Sequence, residues 1–205
     1  MKKKEVLKYS NFRKNFKFDY KPLEIKEDCI YFNGELVEDE NKKYSDGKTF
    51  LNIGYNFKNS CARVLSNLYP LKIKFRGKWV ASIEGILQGI KYKDKKMQNL
   101  VLKYSGLDAY HTRAANTSDF WGKEGLLYWQ GKAIKRDSED YQIFLDELYL
   151  SALKNPLYKK FLLETGEKYL LHHIGHENIN ETVLTRFEYE QRLNSLRSYI
   201  KMARK

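Results

Sequence analysis

Glu84, Gln88 and Lys91 follow one another at steps of four and three residues inside the stretch "WVASIEGILQGIKY", Trp79 to Tyr92. On an α-helix, where each residue turns about 100°, they share one arc, which puts a carboxylate, an amide and an ammonium side by side. A carboxylate so placed can move a proton or stabilise a developing positive charge, and an amine can act as a nucleophile. The same spacing also describes a solvated face with a Glu–Lys attraction along it, and periodicity leaves both readings open.

The rest of that helix must hold the stripe in place. Ile83, Ile86, Leu87 and Ile90 fall on a neighbouring arc and form its core stripe. Gly85 and Gly89 form a third arc. Each interior glycine costs about 0.5–1 kcal/mol relative to alanine, so a pair one turn apart predicts that another helix or a ligand comes close to this backbone.

Upstream, "LKIKFRGKWVAS" alternates around Arg76-Gly77 and reads as a hairpin leading into the helix. "CIYFNGELV" carries the Asn-Gly pair of a two-residue hairpin turn, and "KTFLNIGYNF" reads as a further strand. Downstream the pattern predicts a short helix near Lys95–Tyr104, a loop rich in Gly, Asn, Thr and Ser, and one short strand at "LLYWQGKAI". Asp137-Ser138 caps a helix over "EDYQIFLDELYLSAL", with Tyr141, Phe144, Leu145, Leu148 and Leu153 at helical spacing. Asn155-Pro156 opens the next helix and Thr165-Gly166 closes it. "TRFE" at Thr185–Glu188 is a capping-box pattern for a last helix that turns Leu193, Leu196 and Ile200 inward. The expectation is α+β, mainly helical, with small β-hairpins: a single domain over 29–205 preceded by a basic arm over 1–28.

Lysine and arginine outnumber acids 38 to 26 for a formal charge of +12, and both ends are basic. Such a field favours a polyanion, with nucleic acid foremost, although a generally lysine-rich proteome would give the same surplus. In the arm, Lys14 and Lys17 lie among Tyr9, Phe12, Phe16, Phe18 and Tyr20. That mixture can stack bases and neutralise phosphates, or it can pack the arm onto the body. Cys29 and Cys61 form no CxxC pair and no disulfide framework, and no apolar run approaches membrane-spanning length. The expectation is a cytoplasmic protein with no membrane partner, taken as a monomer. His172, His173, His176 and Glu177 do not make a metal site: "LLHHIG" reads as a strand entering a glycine loop, so the imidazoles share no helix face. No metal and no cofactor is expected.

"LSNLYP" followed by "ASIEGILQGIKY" resembles the paired signatures of the NADAR, or YbiA-like, superfamily. There an S-N-[FL]-x-P turn precedes a strand pair and an S-x-E-x-x-[FL]-Q-x-x-K-[FY] helix. The likeness continues in order through "YWQGKAIKRDSEDYQIFLDELY", "FLLETG", "LHHIGHENINETVLT" and "FEYEQRLNSLR", spanning about Leu65 to Arg197, and is nearest the phage and bacterial variant. The resemblance implies an N-glycosidase. Some members suit ribosylated pyrimidine intermediates of riboflavin synthesis, while others remove ADP-ribose from guanine in nucleic acid and so reverse DNA ADP-ribosyltransferase toxins.

Carried over by position, the resemblance makes Glu84 the helix glutamate, with Gln88, Lys91 and Tyr92 beside it and Asn67 in the turn. It places Trp129 in "YWQGK" as a stacking surface and His172 in a loop that closes over the sugar. Tyr141 stands where the YbiA-like branch has Trp, and Glu177 or Asn178 where it has a late Asp; these departures count against a riboflavin-type substrate. Glycosidic cleavage passes through an oxocarbenium-like sugar, so Glu84 is the expected acid/base carboxylate, with Lys91 aiding the leaving base or attacking as a Schiff-base amine. Arg63, Asn67, Arg113 and Asn116 sit in loops able to meet a pyrophosphate, and Trp79 and Trp121 are further stacking candidates. The expected partner is ADP-ribosylated DNA or a nucleotide-like small molecule, with Arg113, Lys14 and Lys17 on the polyanion; the alternative to an enzyme is a non-catalytic module that binds ADP-ribose or nucleic acid.

Overall fold

The computed structural model describes residues 24–26, 29–32, 35–36, 50–112, 121 and 124–203. The sequence expectations that fall on Lys14, Lys17, the arm aromatics, Arg113 and Asn116 lie outside these residues. Contacts divide the chain into units 1–37 and 38–205. In the first, β1 (Glu24–Lys26), β2 (Cys29–Phe32) and β3 (Glu35–Leu36) form an antiparallel sheet. Phe32 pairs with Glu35, which leaves Asn33-Gly34 between the strands, where the sequence puts the hairpin.

The second unit is α+β and mainly helical. Its strands form pairs: β4 (Phe50–Asn52) with β9 (Tyr169–Leu171) in parallel, β5 (Ile73–Phe75) with β6 (Lys78–Val80), and β7 (Leu126–Trp129) with β8 (Lys132–Lys135). Among the described residues the helices are α1 (Ser60–Leu65), α2 (Ile83–Gly89), α3 (Lys95–Val101), α4 (Gly106–His111), α5 (Glu139–Ala152), α6 (Pro156–Glu164) and α7 (Arg186–Met202). Among the described residues no helix is long and apolar enough to cross a membrane.

The β5–β6 turn has Arg76 at φ 43° and Gly77 at φ 84°, the left-handed pair that matches the strands' twist. Arg76 tolerates it because its guanidinium packs 4.7 Å from the Phe144 ring centroid and its Nε donates to Glu147 at 2.6 Å. "LLYWQGKAI" is not one strand but a third hairpin, β7–β8, turning at Gln130 (φ 49°) and Gly131 (φ 82°). Gln130 is not a usual turn residue, so the sequence gives little sign of it. It is held because its backbone N–H and side-chain amide both donate to Gln98 Oε1, at 2.8 and 2.7 Å.

The loop expected after Tyr104 also contains α4, capped by Ser105. Its first residue, Gly106, lies so close to the Asn67–Leu68 turn that a β-carbon there would stand 2.0 Å from the Leu68 carbonyl oxygen and 2.3 Å from its carbon. Because backbone, not a flexible side chain, stands in the way, Gly106→Ala is expected to cost about 3 kcal/mol or more in denaturant unfolding. A change below about 0.5 kcal/mol, the level of a neutral surface substitution, would show that the close approach is unimportant.

The core lies between α2, α5, α7 and the small strand pairs. Ile83, Ile86, Leu87 and Ile90 are at most 3% exposed, as their stripe predicts. α5 and α7 are joined by buried charge: Arg192 pairs with Asp146 at 2.8 Å, and Arg136, just before α5, forms a two-pronged pair with Glu188 of α7.

Candidate active site

Ser82 caps α2 by accepting the Gly85 N–H at 2.9 Å, and the Glu84 N–H donates to the Asn67 carbonyl at 3.0 Å. The turn "LSNLYP" and the helix that follows it are thereby joined at their first turn. Glu84 is 9% exposed and Gln88 is 6% exposed, so the polar stripe is not a solvated face. Gln88 Nε2 donates to Glu84 Oε1 at 2.7 Å, and Lys91 Nζ donates to Gln88 Oε1 at 2.8 Å. Since an ammonium can only donate, Lys91 orients the amide with its nitrogen toward the carboxylate. The three residues form one ordered chain.

The glycine arc meets protein. A β-carbon on Gly85 would lie 3.3 Å from the Val101 carbonyl, and one on Gly89 3.4 Å from Leu102, so the close neighbour is α3 and the turn after it. Gln98, fully buried on α3, fastens this packing: its Nε2 donates to the carbonyls of Gly89, Tyr92 and Tyr128.

Around Glu84 stand residues from far along the chain. Tyr149 of α5 donates its hydroxyl to Asn67 Oδ1 at 2.9 Å, and its ring centroid is 5.9 Å from that of Tyr189 of α7. Tyr189 donates to the Leu65 carbonyl at 2.7 Å. Burial pushes both phenols well up, and the Glu84 charge adds to that push, so neither ionises at neutral pH. His172 presents its edge to Tyr189 at 5.2 Å and shares Nδ1 with the Ile53 carbonyl at 2.8 Å. Burial holds its pKa below the ordinary value, keeping it neutral.

Of the expected site residues, Glu84, Gln88, Lys91 and Asn67 are linked directly, and His172 reaches them through Tyr189 and Tyr149. Tyr92, half-buried, closes the turn at the end of α2, its N–H on the Gly89 carbonyl. Arg63 is not in a loop, as the sequence reading has it, but in the last turn of α1, exposed, its guanidinium 5.8 Å from the Tyr55 ring. Glu177 and Asn178 lie on the exposed loop, Glu177 paired with Arg186 at 2.6 Å and Asn178 bonded to Glu181. Two further expectations need correction. Trp129 is only 7% exposed and is packed edge-on against Phe75 and Phe144, so its ring is not offered for stacking. Tyr141 is fully buried and its hydroxyl is taken by the Val183 carbonyl, so it is a core residue.

Trp121 is the tryptophan beside the stripe: Lys91 Nζ lies 5.8 Å from its ring centroid. It is 4% exposed and its Nε1 has no hydrogen-bond partner among the described residues. Tyr149 and Tyr189 were hidden because buried tyrosines on apolar helix faces read as core. Among the described residues no three His, Cys, Asp or Glu side chains gather as a metal site.

Glu190 of α7 is fully buried and accepts the His172 N–H at 2.7 Å. Burial raises its pKa to about 7 despite that bond. A carboxyl whose folded pKa is raised stabilises fully below its ordinary range and loses that contribution as pH climbs toward 7. Between pH 5 and 8 the melting temperature is therefore expected to fall more steeply for the native chain than for Glu190→Gln; parallel curves would contradict it.

The fold is similar to that of YbiA. The NMR structure of the E. coli protein YbiA matches with a TM-score of 0.52 at 16% identity, covering 79% of this chain and 90% of that one. The chain belongs to the bacteriophage protein GP30.3 family, whose model matches residues 59–198. That span contains the Asn67 turn, the Glu84 helix, and both tyrosines. No curated protein matches the sequence.

Proposed function

We propose that this chain is an N-glycosidase that removes ADP-ribose from ADP-ribosylated DNA, at guanine, and so reverses the action of a DNA ADP-ribosyltransferase toxin. The observation that carries the reading is a shielded carboxylate, Glu84, aligned by Gln88 and Lys91 and fastened to the Asn67 turn. The carboxylate stabilises the oxocarbenium-like sugar and takes a proton from the attacking water. A new C–O bond forms at the anomeric carbon. The C–N bond breaks with its electron pair on the base nitrogen, which regains a proton. Lys91 assists by charge; a Schiff-base role would first require it to leave Gln88. Asn67, Gln88, Tyr92 and Arg63 are proposed to bind the ADP-ribosyl group, and the +12 charge, with Arg113, Lys14 and Lys17, to hold the polyanion.

The second reading is cleavage of a ribosylamino-pyrimidine phosphate, the other substrate class that the family resemblance of the sequence implies. Chromatography of the products from each substrate separates them. Free ADP-ribose from a modified oligonucleotide supports the first; cleavage of the small molecule alone supports the second.

A further inference from the structure

We propose that the face of the β5–β6 hairpin carrying Trp79 is a stacking platform for an unpaired DNA strand. Trp79 is 62% exposed, the most open of the large apolar side chains among the described residues. Lys72 Nζ stands 5.2 Å from its ring centroid. Lys74 is directly opposite Trp79 across the hairpin and therefore projects from the same face. Beside the ring is a recess of about 270 Å³ with Pro70, Ala81 and Leu102 as apolar lining and Lys72 and Lys103 as charged lining. Among the described residues Lys72, Lys74 and Lys103 form no ion pair.

An exposed indole costs solvation unless something covers it, and three ammonium groups around it with no ion pair among the described residues disfavour a second copy of this basic chain. A flat base against the indole with phosphates on the lysines satisfies both groups at once, independently of sequence. The recess is just under the roughly 300–1,000 Å³ of small-molecule sites, room for one planar base. Trp79 and Glu84 are five residues apart, hence within about 18 Å even on a fully extended chain. A strand on the platform would pass close to the candidate active site. The inference rests on the nucleic-acid reading of the function, in which the modified base belongs to a strand that needs holding.

The test uses the full chain and an unmodified oligothymidylate of about twelve nucleotides, within the span that single-strand modules cover. Trp121 and Trp129 are buried, so a base stacking on the surface should quench the Trp79 emission, and saturably. Trp79→Ala is expected to lose the quenching and bind about 5- to 150-fold more weakly, with Trp79→Phe recovering most of the affinity. Lys74→Glu with Lys103→Glu should lower the salt slope by about 1.4, two phosphate contacts on a single strand. Equal binding by Trp79→Ala, equal binding and quenching by duplex, or concentration-dependent self-association that buries Trp79 would each overturn the platform. Absent quenching with intact release of ADP-ribose from a modified oligonucleotide defeats the platform and leaves the proposed function standing. Quenching without release does the reverse.

Discussion

Glu84→Ala protein is expected to fold and to release ADP-ribose from a modified oligonucleotide at a rate lower by about 10²–10⁴, the usual contribution of a positioned acid/base group. The size follows from the surroundings: Glu84 is 9% exposed, receives the Gln88 amide hydrogen bond, and sits near two unionised phenols and a neutral imidazole. Glu84→Gln should lose as much activity while keeping the shape, because an amide hydrogen-bonds but does not take the proton from water. The fold cost is smaller. Losing a hydrogen bond to a charged group costs about 1.5–3 kcal/mol, so both variants should still melt cooperatively. Lys91 separates two mechanisms. If it acts by charge through Gln88, Lys91→Arg keeps partial activity; if it forms a Schiff base, Lys91→Arg is as inactive as Lys91→Ala.

The largest expected loss of stability comes from Glu188. Its carboxylate accepts from Arg136 at 2.9 and 2.7 Å, from Gln142 at 2.5 Å, and from the Thr185 backbone at 2.7 Å. Glu188→Ala strands the Arg136 guanidinium, itself 3% exposed, and removes half of the capping box of α7. Breaking a buried pair from one side costs about 3–5 kcal/mol, enough to unfold many domains of this size at moderate temperature. Replacing both partners with apolar residues should cost much less.

The pH dependence has a definite sign. Desolvation pushes the Glu188 carboxyl up, but the Arg136 pair with its Thr185 and Gln142 hydrogen bonds outweighs that and leaves it below the ordinary value. Its contribution is therefore present above the ordinary carboxyl range and lost as pH falls through the lowered one. Native protein should lose stability on acidification below about pH 4, and Glu188→Gln should lose less over the same interval. Identical acid titrations would contradict the assignment.

The periodic features of the sequence carried most of the fold. The isoleucine stripe of α2, the hairpin at Arg76-Gly77, and the caps at Ser138, Asn155 and Thr185 were all readable, because each is a local relation within a few residues; the turn-to-helix order of the site came from the family resemblance alone. Features made by distant partners were not. The hairpin at Gln130-Gly131 depends on Gln98, more than thirty positions away, and so looks like one strand. The Glu84 stripe looks like a solvated surface until α5 and α7 bring Tyr149 and Tyr189 over it. Trp121 and Trp129 are indistinguishable by type; both are buried, and only packing puts one beside Lys91 and the other against Phe75 and Phe144.

The most direct test of the central claim is the intact mass of a DNA oligonucleotide carrying one ADP-ribosylated guanine, followed through incubation with native protein and with Glu84→Gln. The native protein is expected to remove the whole ADP-ribosyl mass, restore the unmodified base and leave the strand unbroken, while the variant leaves the mass unchanged. Full removal by Glu84→Gln, or an unchanged mass with native protein that still cleaves a ribosylamino-pyrimidine phosphate, would contradict it.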